Sequence, residues 1–356
     1  MAPRVTCIVG GQYGSEGKGK VCGYLANEYD VAVRVGAPNA GHTLVMGKNK
    51  WKMQQIPVAG LVNPDIVLYI GAAGLINIPI LEREMSYIKD IEDRLFIDRN
   101  AGILTEDHRH QEEEEKMFKG IGSTCEGVGA ALRHKIKRDK TFGVANNNLR
   151  LKHHVINVSK YLNRGQKRVM IEGTQGTFLS LNHGPYPYCT SRDIIASSLL
   201  SDVGLAPHTC KEVIMVIRTY PIRVAGNSGP MCGKELSWPI IKRRSKCPKK
   251  IEEKTTVTKR VRRVCEFSME QIMEACELNG PTQIALMFAD YITHKDYGKN
   301  KWRNLSNLTK AFVESVEDET GVPVTLIGTS PDFEGMVDRR PFKRSSTYLY
   351  DEGLRQ

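Results

Sequence analysis

Seven residues near the amino terminus, Gly14-Ser15-Glu16-Gly17-Lys18-Gly19-Lys20, could do chemistry together. Glycines at this density let backbone N–H groups converge on an anion, and Lys18 and Lys20 add positive charge where a helix is expected to begin. The loop reads as a grip for nucleotide phosphate. Its spacing approaches the Walker A pattern, but Val21 stands where Ser or Thr would hold magnesium, so the match alone is weak. A second polar cluster, Asn39-Ala40-Gly41-His42-Thr43, directly follows the strand-like run Val31–Val35. In a parallel sheet both loops would lie at the carboxyl ends of strands, where ligands bind.

Two more clusters have the same character. Gly122-Ser123-Thr124-Cys125-Glu126-Gly127-Val128-Gly129 is one, and Glu172-Gly173-Thr174-Gln175-Gly176-Thr177 is the other, continued by His183 to Pro187 and by Thr190-Ser191. Hydroxyls beside glycines suit a monophosphate, and a glutamine amide can donate to and accept from a purine edge at once. Each cluster alone could be an ordinary Gly/Thr turn. In this order they are not independent.

These loops need a scaffold, and the apolar runs supply it. Val5–Val9, Val31–Val35, Ile66–Ile70, Val169–Ile171, Val213–Ile217, Ile284–Phe288 and Val324–Ile327 are continuous rather than alternating, as strands buried on both faces are. Between them lie helix-like segments at Ile78–Asp93, Glu106–Lys119, Asp193–Ser201, Ser268–Leu278 and Leu305–Thr320, the last closed by Gly321. The expected fold is α/β, a mostly parallel central sheet flanked by helices with a P-loop-like nucleotide site. The chain has no repeat and no linker dividing it, so 1–356 is expected to be one domain, with a mobile basic loop at about 237–263.

Composition narrows the class. No window approaches a membrane span, and the nine cysteines are an odd number without a Cys-x-x-Cys pair, which favours reduced thiols and a soluble, cytoplasmic protein. The net charge of +11 raises the possibility of nucleic-acid binding. Its distribution argues otherwise, because much of it lies between Lys242 and Arg263, where a solvated loop or a clamp for small anions is equally available. The acidic run Glu112 to Glu115 is expected on an exposed helix face. A nucleic-acid-coupled P-loop ATPase would need a strand ending in paired acids, which is not found, and a non-catalytic nucleotide sensor is another reading of the same loops.

From the first loop to Gly328-Thr329-Ser330-Pro331-Asp332, the chain resembles the adenylosuccinate synthetases. That family joins aspartate to the 6-position of a purine nucleoside monophosphate, and uses a nucleoside triphosphate to activate the 6-oxygen as a phosphoryl intermediate. The resemblance implies that His42 stabilises the 6-oxyanion, that Lys18 neutralises the transferring phosphoryl group, and that Gly41 offers its carbonyl to Mg²⁺. It implies a triphosphate site of Gly14, Glu16, Gly17, Lys18, Gly19, Gly41, Thr43, Asp290, Thr329, Ser330 and Pro331. It assigns Thr124 and Thr190 to the monophosphate, Asn39 and Gln175 to the base, with Gln175 among the catalytic residues, and Leu179 and Val224 to the lining of sugar and base. Arg138 matches an arginine that acts in trans, so a homodimer is implied. Thr258, Arg260 and Arg262 match the aspartate-binding loop, where guanidinium groups grip carboxylates bidentately, although Lys259 replaces a common glycine.

Two departures fall at substrate positions. Ser15 stands where the family has an aspartate that takes the purine N1 proton and touches Mg²⁺. A serine hydroxyl is no base at neutral pH, but it is small and can accept from the 2-amino group of guanine. The pattern resembles the bacteriophage synthetases that act on dGMP to supply 2-aminoadenine for DNA. The second departure is Phe288-Ala289-Asp290, where the family has Lys-x-Asp for guanine of the donor, and it points to ATP or dATP. Expected substrates are therefore dGMP, L-aspartate and ATP or dATP, with Mg²⁺ as cofactor and neither nucleic acid nor membrane as partner. Ordinary adenylosuccinate synthesis from IMP with GTP is the alternative.

Overall fold

A computed structural model describes residues 2–255 and 260–341, and it builds one ten-stranded sheet from the apolar runs. From one edge to the other the strands are Met336–Asp338, Val324–Gly328, Gln283–Met287, Cys210–Arg218, Arg4–Gly10, Arg168–Glu172, Val31–Arg34, Val67–Ile70, Leu95–Asp98 and Val155–Ile156. All pairings are parallel except that of the edge strand Met336–Asp338. The expected α/β sheet is thus borne out.

Alternate side chains of the central strand divide the core in two. Val5, Cys7 and Val9 face a layer closed by the helices Ala196–Val203, Met269–Asn279 and Asn307–Thr320. Ile8 faces the other layer, closed by Lys18–Leu25 and Ile78–Met85. Every central strand is buried on both sides, so period-two patterning is absent and the runs read as unbroken hydrophobes. Because the strands are parallel and in register, Gly10 lies beside Val216, and Glu172 beside Arg34. The loops that follow them therefore crowd one edge of the sheet.

The helices differ from expectation in instructive ways. The first ends at Met85, where the Ser86 hydroxyl turns back on the Arg83 carbonyl at 2.7 Å, and residues 91–93 form a separate turn. The segment Glu106–Lys119 breaks into Glu106–Glu114 and Met117–Ile121 because Lys116 adopts a left-handed conformation with φ 54°. The segment Asp193–Ser201 is helical only from Ala196, and runs on to Val203. The described residues of 237–263 hold more regular structure than a loop. Ser237 precedes a helix, Trp238–Ser245, whose Trp238 and Ile241 are buried, and Arg263–Cys265 pairs with Ile222–Arg223 and Glu235–Leu236 in a small antiparallel sheet.

The acidic run also departs from expectation. Glu112 is buried, and its carboxylate accepts N–H groups from Gly127 at 2.8 Å, Gly129 at 2.6 Å and Ala130 at 3.3 Å. It caps the helix Val128–Ile136, whose first amides have no partner within the helix. Replacing Glu112 with Ala leaves those amides buried and unmatched. An E112A protein is expected to lose about 1–3 kcal/mol of stability, read as a lowered urea midpoint with an unchanged slope.

Candidate active site

Gly10, Gly11 and Gly14 carry the chain away from the central strand in a turn that no larger residue fits. A Cβ on Gly14 would lie 2.9 Å from the Gln175 backbone, and its φ is 95°. Gly17, with φ 102°, then admits the chain to the helix Lys18–Leu25. Inside this turn Glu16 is fully buried. One carboxylate oxygen accepts N–H groups from Gln12 at 3.1 Å and Gly14 at 2.6 Å, and the other pairs with Lys18 Nζ at 2.7 Å. Lys18 also donates to the carbonyl of Gln175. The backbone donors and the ammonium converge on an anion, as expected, and here the anion is the loop's own carboxylate.

The second loop meets the first at Gly19, where a Cβ would lie 2.8 Å from the Cβ of His42. His42 opens the hairpin His42–Met46 and Asn49–Met53 and is buried, with Nδ1 2.6 Å from Glu172 Oε1. Glu172 also pairs with Arg34 and accepts the Val58 N–H at 2.9 Å. Burial, then the Arg34 guanidinium, push the His42 pKa down to about 4, with Glu172 opposing. The ring is therefore neutral at pH 7. Its proton on Nδ1 answers the carboxylate, and Nε2 is buried with no partner among the described residues.

Gln175 joins the two loops to a third. It takes a left-handed conformation, φ 54°, its amide nitrogen lies 3.4 Å from Asn39 Oδ1, and its Oε1 accepts from Thr174 at 2.7 Å. Thr190 is tied to Leu179 by a 2.7 Å backbone hydrogen bond, and both are half-buried. Thr124 and Val224 are also half-buried, Val224 in the turn closed by the Ser228 hydroxyl. Arg138 is exposed just beyond the helix Val128–Ile136, with φ 56°.

On the donor side, Lys20 Nζ donates to the carbonyls of Ser330 at 2.9 Å and Gly335 at 2.6 Å, which ties the first helix to the loop holding buried Thr329 and exposed Pro331. Gly41 and Thr43 are exposed. Phe288 has φ 62° and places Asp290 in a buried turn. Burial pushes Asp290 up to about 7 and Lys20 down to about 8, each charge opposing the other's desolvation. On the basic segment, Arg260 lies over the Phe118 ring, 4.0 Å from its centroid, and donates its backbone N–H to Thr255 Oγ1 at 3.0 Å. Arg262 donates its N–H to the Glu253 carbonyl at 2.8 Å. Thr258 falls outside the described residues.

Four members of this constellation escaped sequence reasoning. Glu172 lay inside a quoted cluster, and its signal was an acid ending an apolar strand. Arg34 and Arg218 end strands in the same way, and Gln12, in the first turn, clamps Arg218 by its backbone. Among the described residues no group of three or more His, Cys, Asp or Glu could cage a metal ion, and no helix is long and apolar enough to cross a membrane.

Known proteins resemble this chain in sequence and fold. A model of the family described as adenylosuccinate synthetase matches residues 7–146 and 139–299. The adenylosuccinate synthetase of Methanocaldococcus jannaschii is 39% identical over 344 residues, 94% of this chain and 96% of its own. That of Methanosphaera stadtmanae is 36% identical, with 94% and 98% covered. The fully ligated adenylosuccinate synthetase of Plasmodium falciparum has the same fold, with a TM-score of 0.83 at 20% identity over 95% of this chain and 100% of that one. The cyanophage S-2L succinoaminodeoxyadenylate synthetase, bound to dGMP and dATP as an energy donor, gives 0.80 at 28% identity, with 96% and 97% covered. With sheet, loops and relatives in agreement, the chain belongs to the adenylosuccinate synthetase family and is a ligase that forms C–N bonds.

The depressed His42 pKa carries a pH signature. Between about pH 4 and pH 6.5 the unfolded chain holds a proton on this imidazole that the folded chain does not. Stability should fall as pH is lowered through that window. Melting temperatures of wild type and His42→Asn, compared from pH 7 to pH 4.5, should show a shallower decline in the variant.

Proposed function

We propose that this enzyme joins L-aspartate to C6 of dGMP through a 6-phosphoryl intermediate, with ATP or dATP as phosphoryl donor, yielding N6-succino-2-amino-2′-deoxyadenylate. The observation that carries the proposal is Ser15, half-buried on the loop whose other members, Glu16 and Lys18, form an intact anion grip. An aspartate at this place would crowd a 2-amino group, whereas a hydroxyl can accept from it. The solved cyanophage relative bound to dGMP and dATP supports this reading. The archaeal relatives, 36–39% identical and named adenylosuccinate synthetases, favour IMP with GTP as the second reading.

The chemistry follows from groups already placed. Lys18 exchanges the Glu16 carboxylate for the transferring phosphoryl group, whose charge it neutralises. A developing 6-oxyanion beside Nε2 raises the proton affinity of His42, and Glu172 stabilises the imidazolium that results. Asn39 and Gln175 read the base, Thr124 and Thr190 hold the monophosphate between Leu179 and Val224, and Arg138 of a second protomer completes that site in a homodimer. Arg260, Arg262 and Thr258 take aspartate. Mg²⁺, which would shield the phosphates, would be held chiefly by phosphate oxygens, with the Gly41 carbonyl and the Ser15 hydroxyl as protein donors. That sparse donor set fits the absence of a carboxylate cage among the described residues.

Phe288, where the family has a lysine, supports an adenine donor, and Asp290 can serve either base. A carboxyl group titrating near 7 is half protonated at neutral pH, and the acid form both donates and accepts. It thereby complements the acceptor N1 and donor N6 of adenine, while the ionised form complements the two donors of guanine.

Phosphate release should be measured across dGMP, GMP and IMP, each with ATP, dATP and GTP, plus aspartate. The proposed enzyme turns over dGMP with ATP or dATP; release with IMP but not dGMP overturns the substrate assignment, and a clear GTP preference overturns the donor assignment. His42→Asn should lower kcat by about 10²–10⁴-fold. Ser15→Asp should shift the kcat/KM ratio toward IMP by about tenfold or more. Raising the pH from 6 to 8 should weaken ATP binding relative to GTP, as Asp290 ionises, and Asp290→Asn should abolish that trend.

A further inference from the structure

Arg218 ends the strand Cys210–Arg218 with its side chain 1% exposed, and no assignment above uses it. Nη1 donates to the Ser15 carbonyl at 2.9 Å and lies 3.3 Å from Glu253 Oε2, while Nη2 pairs with Glu253 Oε1. The face of the guanidinium lies on Phe288, with Cζ 3.8 Å from the ring centroid. Its own backbone is fixed, since Gln12 Oε1 accepts its N–H at 3.0 Å and Gln12 Nε2 donates to its carbonyl at 3.2 Å. Desolvating a cation is costly, so a strand end has no structural need for one.

The three contacts reach three separate segments. Ser15 belongs to the phosphate loop. Phe288 forms the turn that carries Asp290. Glu253 accepts from the Tyr291 hydroxyl at 3.2 Å through its side chain, and its carbonyl holds the Arg262 N–H at 2.8 Å. A planar fork with fixed donors cannot follow one of these segments without turning against the other two.

We propose that Arg218 is a positioning residue that couples occupation of the donor-base pocket at Phe288 and Asp290 to the setting of Arg262 and of Ser15. A base entering beside Phe288 shifts the stacked guanidinium, and the Glu253 pair transmits that shift to Arg262. The coupling rests on the donor and aspartate assignments made above, but not on which purine monophosphate is used.

The test is calorimetric titration of L-aspartate into the full-length protein, alone and with a non-hydrolysable adenine or guanine triphosphate. In wild type the triphosphate should tighten aspartate by about fivefold or more. Arg218→Lys keeps the charge but loses the fork and the plane; it should bind both ligands with less than about twofold tightening. Glu253→Gln should behave likewise, and serves if R218K does not fold. Undiminished tightening in either folded variant, or none in wild type, overturns the coupling. No aspartate binding in wild type overturns the aspartate assignment along with it, whereas the dGMP assignment is judged by the substrate panel alone.

Discussion

A fully buried carboxylate, Glu172, sets the geometry of this site. It ends a central strand directly beside Arg34 in the sheet register, so strand pairing itself creates the ion pair. Its two oxygens are shared among Arg34, His42 and the Val58 N–H, which anchors two strands, a hairpin and a turn to one charge. Removing Arg34 leaves an uncompensated charge in a low-dielectric interior, and the arrangement is held by that penalty more than by the attraction itself. The His42 ring is oriented by the same carboxylate, and its Nε2 has no partner among the described residues.

The loop donors are met by the chain's own carboxylates. Glu16 satisfies the amides and ammonium of the first loop, and Glu112 satisfies the amides that open the helix Val128–Ile136. Buried donors need acceptors, and at both places a buried carboxylate supplies them. Arg218 adds a different element, a cation whose three partners lie on three loops.

Much of this was legible in the chain itself. The seven apolar runs became seven strands of the sheet, because strands covered on both faces must be apolar throughout. The glycine loop was readable because only glycine tolerates φ near 100° at Gly14 and Gly17, and Gly19 because His42 passes beside it. The short strands Leu95–Asp98 and Val155–Ile156 at one side of the sheet, the hairpin His42–Met53 and the helix Trp238–Ser245 were not legible. Their sequences mix charge with apolar residues, and tertiary packing overrides such weak local preference. Glu112 appeared solvated because four successive acids look alike in sequence, whereas only one turns inward.

Sequence by itself determined the family, the fold class and the chemical types in the site, because these reside in local motifs and in patterns of burial. It also marks Ser15 as the departure on which the proposed substrate choice rests. Only the tertiary structure decided which charges face one another: Glu172 with Arg34 and His42, Glu16 with Lys18, and Arg218 with Glu253. These partners, apart from Glu16 and Lys18, come from strands and loops distant in the chain. Their ionisation and reach depend on burial and register, which spacing along a sequence does not encode.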